Sequence, residues 1–133
     1  MRKIVVVDSD KTNCHLLGEI AAACGWELAG CANSVEGGVA QLGRVAADCL
    51  ITEFWFGSAD SGLDLIARAR GKVPGIFTIM FTGWMLEDVA QAARTARIRP
   101  DRLIRKPSSP HELMAVLRDI PGADIHPAIR VAV

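Results

Sequence analysis

Five short apolar runs, each followed by a stretch with helical spacing, leave few architectures open to this chain. The β-branched run at 4–7 suits a strand buried on both faces, and the runs at 49–52 and 76–81 read the same way. Those at 26–31 and 102–104 predict two shorter strands. Between the first two runs, Leu16, Leu17, Ile20, Ala21 and Cys24 recur at helical spacing and Gly25 supplies a stop, so a helix is expected over 11–24. Asn33 or Ser34 caps a second helix through Leu42, with Glu36 as capping-box partner of Asn33. Gly37 and Gly38 inside it cost about 1 kcal/mol each against Ala, so this helix is expected to be the least stable and to be mobile. Ser61 and Asp64 bracket the start of a third helix to about Arg70, and a fourth covers 85–96, closed by Pro100. Ser109-Pro110-His111-Glu112 opens a fifth through about Asp119.

Strands separated by single helices run parallel, and right-handed crossovers place helices on both faces of one sheet. The fold class is therefore α/β. In such sheets ligands gather beyond the carboxyl ends of the strands, where strand order reverses. The polar residues at those ends are Asp8, Ser9 and Asp10 after the first strand, Glu53 after the third, Thr82 and Gly83 after the fourth, and Lys106 after the fifth.

At 133 residues, half of them apolar, the chain suits one domain with a two-sided core. Fifteen acids balance fifteen bases, so no global field draws it to nucleic acid or acidic lipid. No apolar run approaches the roughly 20 residues a membrane helix needs, and Asp8 interrupts any leader-like apolar stretch. A cytoplasmic location with no membrane partner is expected. Cys14, Cys24, Cys31 and Cys49 lie at wide, unrelated spacings with no CxxC, and read as small reduced core residues, not as disulfide or metal ligands.

The run VVVDSD ending at Asp10, the acid closing the third strand, the Ser61-Gly62 turn, Thr82-Gly83 and Lys106-Pro107, taken in that order, resemble the receiver domain of two-component response regulators. The resemblance covers residues 1–119 and leaves 120–133 as a C-terminal tail. It implies a doubly wound, flavodoxin-like (βα)5 fold with a five-stranded parallel sheet in the order 2-1-3-4-5. In that family an aspartate ending the third strand takes a phosphoryl group from histidine, two acids after the first strand help to hold Mg²⁺, and a Ser/Thr and a Lys bind the transferred group. By position Glu53 is the phosphoacceptor equivalent, Thr82 and Lys106 are switch residues, and Leu103 stands where an aromatic reporter is usual. Asp8 is the main metal-facing acid, with Ser9, Asp10 and Glu53 beside it.

The departures all point the same way. Glu53 carries one methylene more than aspartate, which moves its carboxylate about 1.5 Å outward, and small misplacements of an attacking group cost orders of magnitude in rate. Ser9 replaces a negative ligand where Mg²⁺ asks for oxygen donors in octahedral array. The chain contains no Tyr, and Trp84 is the aromatic nearest Thr82 in sequence. The reading that results is a stand-alone, atypical receiver-like module, not an enzyme, that signals by protein contact without phosphorylation. Its expected partners are a histidine kinase or another signalling protein, or a second copy through the face of the fourth helix, fifth strand and fifth helix, where Arg94, Arg97, Arg105, Arg118 and Asp119 lie. No resident cofactor is expected; Mg²⁺ enters only through the alternative, a Mg-dependent receiver that accepts phosphate in a histidine-kinase phosphorelay.

Other local readings stand beside these. Glu53 is either a phosphoacceptor-like group or a strand-end acid paired with Lys106. Phe54-Trp55-Phe56 is either a lid over the acid pocket, which is favoured, or an exposed contact patch. The basic segment 94–99 lacks interleaved aromatics and a recognition helix, so a solvated or partner-facing edge is preferred to a nucleic-acid surface. A flavodoxin-like small-molecule site is disfavoured, since Asp8, Ser9 and Asp10 would repel a phosphate. His15, His111 and His126 read as surface residues.

Overall fold

The computed structural model describes residues 1–120. Five strands and five helices alternate along the chain: β1 Lys3–Val7, α1 Lys11–Ala23, β2 Glu27–Ala32, α2 Val35–Arg44, β3 Cys49–Thr52, α3 Gly62–Lys72, β4 Phe77–Thr82, α4 Leu86–Ala96, β5 Arg102–Arg105 and α5 Pro110–Asp119. All strand pairs are parallel and the sheet order is β2-β1-β3-β4-β5. The chain steps outward from β1 to β2 and returns past β1 to β3. Strand order therefore reverses between the ends of β1 and β3, and Asp8 and Glu53 emerge side by side at that point.

The pleat divides the core. Ile4 and Val6 of β1, Cys49 and Ile51 of β3, and Ile79 and Phe81 of β4 face α1 and α5, where Leu17, Ala21, Leu113 and Leu117 meet them. Val5, Val7, Leu50 and Met80 face the other way, against Leu42 of α2, Leu65 and Ile66 of α3 and Val89 of α4. Each fully buried Leu or Ile contributes about 1.5–3 kcal/mol relative to exposure, so both helical layers are needed.

Helix starts follow local chemistry. Ser34 accepts from Gly37 N, Ser109 accepts from Glu112 N with Pro110 at the first helical position, and Ser61 and Asp64 form a reciprocal capping box. α1 is capped by Asp10, whose side chain accepts from Thr12 N, and ends before Gly25 at φ 84°. α4 ends on Arg97 in the left-handed region, φ 57°, a termination that its sequence does not advertise. Gly38 of α2 has a packing reason: a Cβ there would come within 2.9 Å of Val7 Cγ2 and 3.2 Å of Leu65. Ile120 is buried in the α1/α5 core layer, and the rest of the expected tail, with His126, lies outside the described residues.

Two expectations are corrected. The buried stripe of α1 is Cys14, Leu17, Gly18 and Ala21, an i, i+3, i+4, i+7 series, while Leu16 is exposed. The cysteines are not all reduced core residues: Cys14 and Cys31 form a disulfide, with their Cα atoms 6.3 Å apart, and Cys31 is exposed. Cys24 and Cys49 are free thiols. The reason lies in β2. Ile4 pairs with Leu28 but Val5 pairs with Gly30, so Ala29 is an extra residue in the ladder. Strict alternation would put Cys31 on the face opposite Leu28. The one-residue shift pairs it with Val6 instead and turns it toward α1, where Cys14 waits.

Candidate functional site

Backbone hydrogen bonds bring the strand ends to one level. Asp8 N donates to Ala32 O (3.0 Å), Glu53 N to Val7 O (3.0 Å) and Lys106 N to Thr82 O (2.7 Å). Asp8, Glu53, Thr82 and Lys106 thus meet at the carboxyl edge, and all but Lys106 are buried. The Lys106 ammonium bridges the two acids, 2.6 Å from Asp8 Oδ2 and 2.7 Å from Glu53 Oε2. Burial opposes its charge, but hydrogen bonds and attraction to Asp8 and Glu53 outweigh burial and hold the ammonium above the usual lysine range.

The remaining carboxylate oxygens are engaged as well. Asp8 Oδ1 accepts from Asp10 N (2.9 Å), and Asp8 Oδ2 also accepts from Asn13 Nδ2 (3.3 Å). Glu53 Oε1 turns back to accept from Phe54 N at 2.7 Å. The longer side chain therefore closes a ring on its own strand end. Close behind it is Gly62, whose N–H donates to Phe54 O (2.8 Å) and where a Cβ would collide with the Glu53 carbonyl oxygen. The sequence marks Ser61-Gly62 as a turn, but the need for glycine comes from this approach of α3 to the Glu53 peptide.

Other expected residues lie outside the ion-pair cluster. Thr82 Oγ1 accepts from Trp84 N (3.1 Å), and among the described residues no hydrogen bond joins it to Glu53. Ser9 is exposed, and Asp10 spends its Oδ1 on the cap of α1. Leu103 is partly buried against the α4 side of the core. Trp84 meets Phe54 edge-on and Trp55 at a tilt, each with 5.6 Å between ring centroids. Phe54 and Phe56 are partly buried against the core layer of α2, α3 and α4, whereas Trp55 stays 47 % exposed. His15 and His111 are exposed. Asn13, which clamps Asp8, was not singled out by sequence; its signal is a polar residue in the first turn of a helix that begins beside the strand end.

As placed, the donor set leaves no free carboxylate oxygen for Mg²⁺, the ion that the sequence resemblance implies. A hard octahedral ion needs several oxygen ligands together. Here all four oxygens of Asp8 and Glu53 already accept hydrogen bonds, and an ammonium sits between them. Among the described residues no group of three His, Cys, Asp or Glu is placed to hold a metal.

No family model matches the sequence. No curated protein matches it either. Solved structures do match in shape. A CheY-like response regulator receiver domain protein from Methanospirillum hungatei superposes with a TM-score of 0.77 at 22 % identity, covering 89 % of this chain and 91 % of its own. A response regulator receiver domain protein from Clostridium thermocellum gives 0.75 at 22 %, covering 99 % and 97 %. The response regulator TrrA from Thermotoga maritima, solved with Mg²⁺ and BeF, gives 0.74 at 21 %, covering 89 % and 97 %. At these identities the similarity establishes the fold, and that fold is the one response regulator receiver domains adopt.

Proposed function

We propose that this chain is an atypical receiver-like signalling module that works through protein contact, with its acid pocket held closed by an internal cation, and does not carry phosphate. The observation that carries the reading is the Lys106 ammonium shared between Asp8 Oδ2 and Glu53 Oε2, at 2.6 and 2.7 Å. A covalent phosphate carrier needs a carboxylate oxygen free for in-line attack and metal ligands beside it. Glu53 has one oxygen on Lys106 and the other on Phe54 N, and Ser9 offers no charge. The glutamate supplies negative charge toward the lysine, in part as a phosphorylated aspartate would, with one unit less of it.

The partner is a protein, a histidine kinase or another signalling protein. The contact surface, which would also serve a second copy of the chain, is the face of α4, β5 and α5. Arg94, Arg97, Arg105, Arg118 and Asp119 are exposed there. A groove of about 590 Å³ between α4 and β5 has Val89, Ala93 and Leu103 in its floor and Arg94, Arg97 and Arg102 around it.

The test is incubation of the full chain with acetyl phosphate and Mg²⁺, read by intact mass and peptide mapping. No phosphoryl adduct is expected on wild type, and an adduct on Glu53→Asp would mark the extra methylene as the block. A mass gain of one phosphoryl group at Glu53 of the wild-type chain overturns the proposal in favour of the phosphorelay reading.

A further inference from the structure

The two bridged cysteines flank, in sequence, the two residues that hold Asp8. Cys14 follows Asn13, whose Nδ2 donates to Asp8 Oδ2 at 3.3 Å, and Cys31 precedes Ala32, whose carbonyl accepts Asp8 N at 3.0 Å. The bridge therefore closes a frame around the buried acid: from Asp8 through Asn13 to Cys14, across to Cys31, and back through Ala32. Beside it is a depression of about 370 Å³ bordered by Asp8, Lys11, His15 and Leu28. Cys31 is exposed and Cys14 is 7 % exposed.

We propose that Cys14 and Cys31 are a reversible thiol–disulfide site, served by a low-molecular-weight thiol and its disulfide, whose oxidation state governs how firmly Asp8 is held. In the oxidising direction the exposed Cys31 thiolate attacks one sulfur of the small disulfide and expels one thiolate. Cys14 thiolate then attacks Cys31 Sγ of that mixed disulfide and expels the second. Two protein thiols and one small disulfide become one protein disulfide and two small thiols; two electrons and two protons pass to the small molecule. Lys11 and His15 stand on the border of the depression beside the bridge. A small thiol fits a site of this volume, bordered by Asp8 as well as by Lys11 and His15. Cys49 does not compete, because complete burial pushes its thiol well above the ordinary range.

This site does not depend on the phosphorylation state assigned above, and its test is separate. The full chain is equilibrated without oxygen in mixtures of glutathione and glutathione disulfide. Samples are acid-quenched, alkylated in denaturant and weighed, while amide hydrogen exchange is followed in parallel. The expected result is one transition from four alkylated thiols to the two of Cys24 and Cys49, without dimer formation. Slower exchange at Asp8, Asn13 and Ala32 should accompany it. Cys14→Ala and Cys31→Ala, singly or together, should abolish both changes while the spectrum of a folded protein is kept. Four alkylated thiols at the most oxidising ratio would overturn the site, as would a lasting glutathione adduct on Cys31 in place of the bridge. A bridge that forms without altering exchange around Asp8 would overturn its link to the pocket.

Discussion

Lys106 Nζ lies 2.7 Å from Glu53 Oε2 while the other oxygen of the same carboxylate is bound to the next backbone N–H along the chain. Glu53 makes both contacts at once. The geometry is one of a carboxylate with both oxygens engaged inside the protein, and the physical consequences of that saturation are measurable.

Replacing Lys106 by Met removes the cation that Asp8 and Glu53 share. Such a loss costs about 3 kcal/mol because an unpaired buried charge remains. Urea unfolding at neutral pH should show this loss.

The lysine also sets an alkaline limit. Its folded value is raised above the ordinary 10.5, with Asp8 and Glu53 overcoming the cost of burial. The stabilisation is fully present below the ordinary value and is lost as pH rises through the folded one. Thermal midpoints should therefore fall above about pH 10.5 more steeply in wild type than in Lys106→Met.

Gly62→Ala should cost about 1–3 kcal/mol, since the new methyl meets the Glu53 carbonyl oxygen and Met80 Cε, and a backbone carbonyl in a strand end yields little. Thermal unfolding gives the cost. A change in Phe54 and Trp84 side-chain resonances should accompany it, because Gly62 N holds Phe54 O.

Thr82→Val leaves Trp84 N–H without its acceptor and should destabilise by about 1 kcal/mol. Trp84 packs on Phe54 and Trp55, so its fluorescence should shift in this variant. An unchanged emission spectrum would mean that the hydroxyl does not position the indole.

Reducing the Cys14–Cys31 bridge, which closes a loop of sequence separation 17, should lower stability by about 3 kcal/mol through the freedom returned to the unfolded chain. Unfolding with and without dithiothreitol measures it, and the Cys14→Ala, Cys31→Ala double variant should be insensitive to the reagent.

The elements were legible wherever the cause is local. Ser61 with Asp64, and Ser109 with Pro110 and Glu112, announce helix starts through groups three residues apart, and β3 is Cys49–Thr52 as its apolar run predicts. The convergence of Asp8, Glu53, Thr82 and Lys106 at one edge was also legible, since strand order brings their carboxyl ends together. The direction of each side chain was not. Thr82 ends at the same sheet edge, and its hydroxyl oxygen accepts from Trp84 N in its own loop. Leu16 looked like part of a buried stripe, but the stripe that meets the sheet begins at Cys14.

Sequence alone determined the alternation of strands and helices and the set of polar groups at the strand ends, because periodicity, caps and stops act over a few residues. Tertiary structure decided that Lys106 reaches both Asp8 and Glu53, that Gly62 must lack a side chain, and that Cys31 faces Cys14. Each depends on distances between segments far apart in the chain. The cysteine pair further depends on one extra residue, Ala29, whose effect is to exchange the faces of a strand.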